Sequence, residues 1–366
     1  MSRRVYLHVG APKTGTTYLQ DRLTLNADTL AGHGVHFPTR SPLVSPALFQ
    51  FRAALDLLGR EWGAAAGDTT GSWEALVKRV RRRTGTVVIS HEILAPARPE
   101  QVARAMDDLA GAELHVVYTA RDYSRVLPAA WQESIKQGRR WPYSKFLRKS
   151  RRGKTWFSRA FDLPSVLGTW GAGLPPERVH VVTVPKSRDA TPGGTDPLWG
   201  RFCSVVGIDP AWAPHESTRT NQSLGVAESQ VIRQLNSRLD RGTDHQAEYD
   251  VLIRQLLAQE RLVEKPSPPV RLPPRAYGWV TEAAERWLEY LEQSGVDVVG
   301  DPEDLRPPPV DPGAEWDDPD KVAARKRLRV ALDALATMTQ EAADRPDPDR
   351  QLSRRIKQRA ARLRGS

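Results

Sequence analysis

Short, valine-rich apolar runs recur through the first half of the chain and constrain its fold more than any other feature of the sequence. Nearly continuous hydrophobicity over so few residues is typical of strands that are covered on both faces. Stretches with helical periodicity separate the runs, and this alternation favours a parallel sheet with right-handed crossovers. We therefore expect an α/β fold with a central parallel sheet of about five strands flanked by helices. The predicted strands are VYLHV (5–9), GVHFP (34–38), TVVIS (86–90), ELHVVYT (113–119) and RVHVVTV (178–184).

The pattern changes along the chain. A long helix is predicted over residues 16–31, and from about residue 196 onward the periodicity is mostly helical. A proline-rich stretch, EDLRPPPVDPGAEWDDPD, then interrupts it, as in a linker. The expected organisation is an α/β domain over 1–308, a linker over 309–319 and a basic C-terminal extension over 320–366 that is helical or partly disordered.

The formal charge of +10 is unevenly distributed. Residues 350–366 hold seven Lys and Arg and no acid, and residues 136–160 hold ten and no acid. Such blocks attract anions, although they are common on solvated helix faces and tails. No DNA- or RNA-binding module accompanies them, so nucleic acid is not an expected partner.

Other features bear on location. The sequence passes from MSRRVYLHVG straight into a strand, without the apolar segment of a secretory signal. No apolar run reaches the 18 residues that a membrane-spanning helix needs. The single cysteine, Cys203, is expected in a buried helix and has no partner for a disulfide within the chain. A cytoplasmic protein is the expectation.

A glycine-rich turn links the first predicted strand to the first predicted helix. In VGAPKTGTT (9–17), Gly10 and Gly15 have the spacing of a nucleotide phosphate loop, G-x-x-x-x-G-K-[ST]. Thr16 stands where that pattern has its lysine, and Lys13 lies three residues earlier. Loop amides and a helix N-terminus bind phosphate well, so the turn predicts an anion site whose cation reaches beyond the bound phosphate.

The segment PKTGTT resembles the 5′-phosphosulfate loop of sulfotransferases that use 3′-phosphoadenosine 5′-phosphosulfate (PAPS). The resemblance implies that Lys13 contacts the oxygen between phosphate and sulfate, while hydroxyls and amides of the loop hold the 5′-phosphate. It also implies a phosphate-loop nucleotide-binding fold. The cofactor-binding residues implied are Pro12, Lys13, Thr14, Gly15, Thr16 and Thr17. An ordinary phosphate-loop kinase is the alternative that uses the same turn.

PAPS carries a 3′-phosphate, and the resemblance implies an arginine after a later strand as its anchor. Arg121 follows the ELHVVYT strand, and a guanidinium binds phosphate oxygens in pairs. The family has serine eight residues later, whereas this chain has Ala129, and we expect Ser124 to replace its hydroxyl. Asp122 fits the first turn of the next helix better than a magnesium site. Arg219 is a weaker candidate for a nucleotide contact.

A base must take the proton of the acceptor as it attacks sulfur. His91 and Glu92 follow the TVVIS strand, at the sheet edge where α/β proteins bind ligands. His91 is the favoured base because it titrates near neutrality, and Glu92 is the alternative if burial raises its pKa. The alternative is that one only hydrogen-bonds the other or caps the next turn. No histidine or cysteine spacing supports a metal site, and sulfuryl transfer requires no magnesium.

The sequence thus predicts a PAPS-dependent sulfotransferase that acts on a hydroxyl or amine acceptor by in-line transfer. A magnesium-dependent kinase and a non-enzymatic anion- or nucleic-acid-binding protein remain alternatives. The acceptor stays open among sugars, glycolipids, peptide-like natural products and small phenols, and so does the oligomeric state.

Overall fold

The computed structural model describes residues 3–40, 44–60, 69–187, 196–217, 223–239, 249–264, 266–311 and 313–345. These residues form two compact units. The first unit comprises the described parts of Met1–Glu133, Trp141–Asn221 and Val270–Trp316. The second unit comprises those of Ser134–Arg140, Gln222–Pro269 and Asp317–Ser366. The domain boundaries expected from the sequence stay predictions.

A six-stranded, all-parallel sheet with the order β2-β3-β1-β4-β5-β6 lies at the centre of the first unit. The α/β class and the five expected strands are confirmed. The sixth, edge strand is only three residues long and follows a strong helical pattern, which is why the sequence concealed it. The strands are β1 (Arg3–His8), β2 (Val35–His36), β3 (Gly85–Ser90), β4 (Glu113–Ala120), β5 (Val179–Thr183) and β6 (Asp297–Val299).

Helices flank the sheet. In the first unit these are α1 (Thr16–Leu25), α2 (Ala27–Gly32), α3 (Pro46–Leu58), α4 (Ser72–Arg81), α5 (Pro99–Asp108), α6 (Tyr123–Lys136, whose last turn belongs to the second unit), α7 (Tyr143–Arg151), α8 (Trp156–Ala160), α9 (Leu163–Trp170), α10 (Pro197–Val206) and α12 (Tyr277–Ser294). The second unit contains α11 (Val226–Arg238), a π-helical segment (Asp250–Arg261) and α13 (Ala324–Asp344).

The helix predicted over 16–31 is broken in two at Asn26. The Asn26 side-chain amide donates to Arg22 O at 2.8 Å and to His215 O at 2.9 Å. Asparagine competes in this way with the helical hydrogen-bond pattern, so the long prediction was wrong at this residue.

Both faces of the sheet are buried, as the apolar runs predicted. Val5, Leu7 and Val117 are fully buried, and Cys203 is 1% exposed, in agreement with its expected place in a buried helix. The second unit has its own apolar core, built from residues such as Ile232, Leu257 and Val330. Within the described part of the chain, no helix combines the length and apolar character needed to cross a bilayer.

Candidate functional site

The glycine loop runs from the end of β1 to the start of α1 and has a strained backbone. Gly10 and Gly15 have φ values of 43° and 94°, and Lys13 has φ of 67°. Lys13 is the only non-glycine residue with positive φ among those the structure describes. Two backbone bonds fix the loop to β4, from Val9 N to Val117 O at 3.0 Å and from Ala11 N to Thr119 O at 3.1 Å. Strain of this kind persists where the surroundings enforce it, often at ligand sites.

Glycine is required at both ends of the loop because the neighbours approach closely. A Cβ at Gly10 would lie 2.5 Å from Thr16 Cγ2, and one at Gly15 would lie 2.4 Å from Leu198 Cδ2. Gly15 caps α1 without a side-chain hydrogen bond, and the first turn of α1 has no acidic residue. The partial positive charge at this helix N-terminus is therefore not offset by a carboxylate of its own first turn.

The three threonines of the loop are placed differently. Thr14 is buried, and its hydroxyl donates to Ala11 O at 2.5 Å. Any hydrogen bond from Thr14 to a ligand would therefore come from its backbone amide. Thr16 is also buried, whereas Thr17 is half-buried. Pro12 lies buried at the turn before Lys13. Whether these residues bind a nucleotide stays a prediction.

Lys13 forms an ion pair that the sequence analysis missed. Its Nζ donates to Glu133 Oε2 at 2.5 Å, with side-chain exposures of 32% for Lys13 and 12% for Glu133. Glu133 lies on α6, 120 residues further along the chain. No local pattern marks it, because only the packing of α6 beside the loop brings the carboxylate to the lysine.

Arg121 lies beside the loop, directly after β4. Its guanidinium donates to Lys13 O at 3.3 Å, so the structure brings the two predicted anion-binding cations together. Parallel strands β1 and β4 are neighbours, which explains how residues 108 positions apart meet. The pair lies at the carboxyl edge of the sheet, as ligand sites of open α/β folds do.

Asp122 and Ser124 have structural partners. Asp122 is fully buried and accepts from Arg125 N at 3.1 Å, from the Arg125 guanidinium and from the Ser124 hydroxyl. Asp122 therefore caps α6, as its place in the first turn indicated. The single hydroxyl hydrogen of Ser124 is directed at Asp122, and Ala129 lies further along the same helix. The proposed contact of Ser124 with a 3′-phosphate stays untested, and Arg219 lies outside the described residues.

His91 and Glu92 follow β3 at the same edge. His91 Nδ1 accepts from Ile93 N at 3.2 Å, so His91 caps the short turn Glu92–Leu94 and its neutral form carries the proton on Nε2. The His91 ring stacks on Phe51 with centroids 4.9 Å apart. Its Nδ1 lies 3.7 Å from Glu92 Oε2. The two candidate bases are thus adjacent, and one of them also has the capping role that the sequence left open.

The electrostatics favour neutral His91 beside ionised Glu92. Burial lowers the pKa of His91, and the nearby Glu92 carboxylate only partly opposes that effect. Burial alone would raise the pKa of Glu92, but His91, its own backbone N–H, Lys13 and His8 together lower it below the usual value.

A buried chain of polar groups runs beneath the loop and begins at Gln20 on α1. The Gln20 amide donates to Ser90 Oγ at 3.3 Å and reaches Glu92 Oε2 at 3.5 Å. Since Ser90 Oγ accepts there, its hydroxyl hydrogen is free to donate to His8 Nδ1, 2.7 Å away. Burial lowers the pKa of His8 to about 4, so His8 is neutral at pH 7 and its proton lies on Nε2.

From His8 the buried chain of polar groups continues to the glycine loop. His8 Nε2 lies 3.4 Å from Thr119 Oγ1, which lies 2.5 Å from Thr14 Oγ1. Thr14 donates to Ala11 O, so Thr119 donates to Thr14 and accepts from His8. His8 is fully buried. Its link between the loop and the Glu92 region had no sequence signal.

Comparisons of the chain with protein-family models, with curated proteins and with solved structures found no match in any of the three. Among the described residues, no group of three or more His, Cys, Asp and Glu is arranged to hold a metal ion. The chemistry of the site is therefore the basis for a function. It combines a strained glycine turn at a helix N-terminus, two cations beside that turn and an ionised carboxylate beside a neutral imidazole.

Proposed function

We propose that the chain is a PAPS-dependent sulfotransferase that moves a sulfuryl group to a hydroxyl or amine acceptor. The observation that carries the proposal is the position of Lys13. It precedes Gly15 and lies at the loop apex beside Arg121, instead of opening α1. A lysine there suits a ligand whose reacting group lies just beyond a single 5′-phosphate.

The loop supports a single bound phosphate. Its amides and the N-terminus of α1 supply donors, with the half-buried Thr17 hydroxyl in the first helical turn. Bound PAPS would supply the sulfuryl group. The chain's own contribution is to hold the phosphate, to place Lys13 where charge develops on the leaving oxygen and to orient the acceptor.

Arg121 fits the second anchor because its guanidinium already lies against the loop backbone. A guanidinium binds phosphate oxygens in pairs, which suits the 3′-phosphate that distinguishes PAPS from ATP. The kinase alternative would use Asp122 for magnesium, and Asp122 instead caps α6 and binds Arg125.

Glu92 is the better supported base. The Nδ1 of neutral His91 is its only basic nitrogen, and it is already used by Ile93 N. The Glu92 carboxylate is ionised at neutral pH and can accept a proton, but its pKa lies below the usual value and not above it, as the sequence analysis expected from burial, which makes it a weaker base. His91 would then stay neutral beside Glu92, with its Nδ1 engaged by Ile93 N.

The direct test is calorimetric titration with 3′,5′-adenosine bisphosphate, 5′-AMP and ATP with magnesium. We expect the bisphosphate to bind at least about tenfold more tightly than AMP, because each well-placed ionic hydrogen bond contributes more than 1 kcal/mol. Lys13→Ala should keep bisphosphate binding within a few-fold and abolish release of bisphosphate from PAPS in the presence of an acceptor panel.

Other outcomes identify the alternatives. Preference for ATP with magnesium would favour the kinase. Binding of heparin or an oligonucleotide without any nucleotide binding, lost when residues 346–366 are removed, would favour the non-enzymatic protein. Glu92→Gln and His91→Ala, assayed separately, distinguish the two base candidates.

A further inference from the structure

Helix α13 presents an apolar face to solvent, independently of the proposed active site. Leu328, Leu332 and Leu335 are 60%, 56% and 62% exposed. They are spaced i, i+4 and i+7, so they form one stripe about 10 Å long. Single exposed leucines are ordinary, whereas a contiguous stripe of three marks an interaction surface.

The same helix is anchored to its own unit through a different face. Val330 and Ala334 are buried in the core of the second unit, and Met338 packs partly against it. The leucine stripe is therefore not the face by which α13 folds onto its unit. Something other than that core must cover the stripe.

The charges around the stripe indicate what covers it. At about 100° per residue, Arg325 and Arg329 both lie on one side of the stripe, roughly 50° and 90° from its centre. The carboxylates of the helix, Asp333, Glu341 and Asp344, all project more than about 120° away from it. Within the described helix, the apolar face is thus bordered by cations and carries no acid.

The charge of the following sequence has the same sign. Residues 350–366 contain seven Lys and Arg and no acid. An apolar helix face with arginines along one side, followed in the sequence by a basic segment, is a combination that binds anionic lipid surfaces. A few exposed leucines bind a membrane weakly, and basic residues supply the second contribution.

We propose that the leucine stripe of α13 docks this protein on an anionic lipid surface. Leu328, Leu332 and Leu335 enter the boundary between headgroups and acyl chains. Arg325 and Arg329 contact lipid phosphates, and Asp333, Glu341 and Asp344 remain in water.

The test is co-sedimentation of the full chain with vesicles of phosphatidylcholine, with and without 30% phosphatidylserine. We expect binding only to the anionic vesicles and weaker binding in 0.5 M salt. Leu332→Gln should weaken binding about tenfold, since it removes one buried leucine. Arg325→Gln should weaken it about fivefold through the lost charge.

Leu48→Gln is the matched control, because Leu48 is 43% exposed and lies on α3, in the first unit. It should leave vesicle binding unchanged. Light scattering and thermal unfolding of the Leu332→Gln chain show whether the substitution alters assembly or folding.

Five outcomes overturn the proposal. Absence of vesicle binding, or equal binding to neutral vesicles, excludes an anionic lipid surface. If Leu332→Gln leaves vesicle binding unchanged, the basic segment alone is responsible for binding. A vesicle-independent dimer that Leu332→Gln dissociates would identify a second copy as the partner. A monomer destabilised by Leu332→Gln would show that the chain covers its own stripe.

Discussion

The two ends of the parallel sheet carry histidines in opposite arrangements. At the amino end, Glu113, His115, His180 and Asp297 form a chain across β4, β5 and β6, with successive contacts of 3.0, 2.9 and 2.7 Å. Each imidazole there has a polar partner on both sides. At the carboxyl end, the chain through His8 instead leads to the backbone of the glycine loop.

The comparison indicates that the end of the sheet at which a histidine lies decides its role. The amino-end histidines are 9% and 7% exposed, and Tyr6 stacks on His115 with centroids 4.6 Å apart. They are hydrogen-bonded to each other and so link neighbouring strands. His8 is fully buried, and the groups it supports lie at the edge where open α/β sheets bind ligands. Four measurements test this contrast, in decreasing order of expected effect.

The largest effect concerns the pH dependence of stability through His8. In the unfolded chain His8 binds a proton below pH of about 6.5, whereas burial lowers its folded pKa to about 4. Between these values the unfolded state binds more protons, so stability is lost as pH falls through this window. The loss reaches about 3 kcal/mol near pH 4.

Urea unfolding at pH 7, 5.5 and 4.5 measures this effect, with His8→Phe as the comparison. His8→Phe should be less stable at pH 7 but lose less stability on acidification. Since burial also lowers the pKa of His91, the difference between the two chains is the relevant quantity. If the free energy of unfolding falls equally with pH in both chains, His8 does not cause the loss.

The second effect concerns the second anchor. Arg121→Ala should weaken binding of 3′,5′-adenosine bisphosphate by about 2 kcal/mol, or roughly 30-fold, while 5′-AMP binding changes little. Arg98→Ala is the control, since Arg98 is 67% exposed and pairs only with Glu100 among the described residues. Equal losses for both nucleotides would mean that Arg121 holds the loop and not a 3′-phosphate.

Much of this architecture could be predicted from the sequence. Continuous apolar runs predict doubly covered strands, and the loop is visible because glycine spacing and lysine position are local properties. The three-residue strand β6 was missed because Asp297–Val299 forms a strand only by pairing with β5. Glu133 was missed because an ion pair between α6 and the loop leaves no periodic trace. Arg121 was recognised through its place after a strand, but its contact with Lys13 O required the strand order.

The third effect concerns the amino end, where substitution should affect stability alone. His180→Phe keeps a ring of similar size but removes the contacts with His115 and Asp297. We expect a loss of about 1–2 kcal/mol in the free energy of unfolding, because His115 Nδ1 loses its partner inside the protein. Bisphosphate affinity should stay within twofold. A larger change in affinity would break the contrast between the two ends.

The smallest effect concerns the ion pair at the loop. Glu133 lies 2.5 Å from Lys13 Nζ, so an arriving anion must compete with a carboxylate for that cation. Glu133→Gln removes the charge and keeps the shape, and we expect about fivefold tighter binding of PAPS, or about 1 kcal/mol. The gain should be smaller for 3′,5′-adenosine bisphosphate, which lacks the sulfuryl group that Lys13 would meet.

Glu100→Gln is the control, because Glu100 is 78% exposed and lies on α5. Unchanged PAPS affinity in Glu133→Gln would show that the anion does not compete for Lys13. Weaker binding would mean that Glu133 holds Lys13 in the orientation that the anion requires. In that case the polar groups at the carboxyl end of the sheet would have partners within the protein, as those at the amino end do. The two ends would then differ only in which of these groups a ligand displaces.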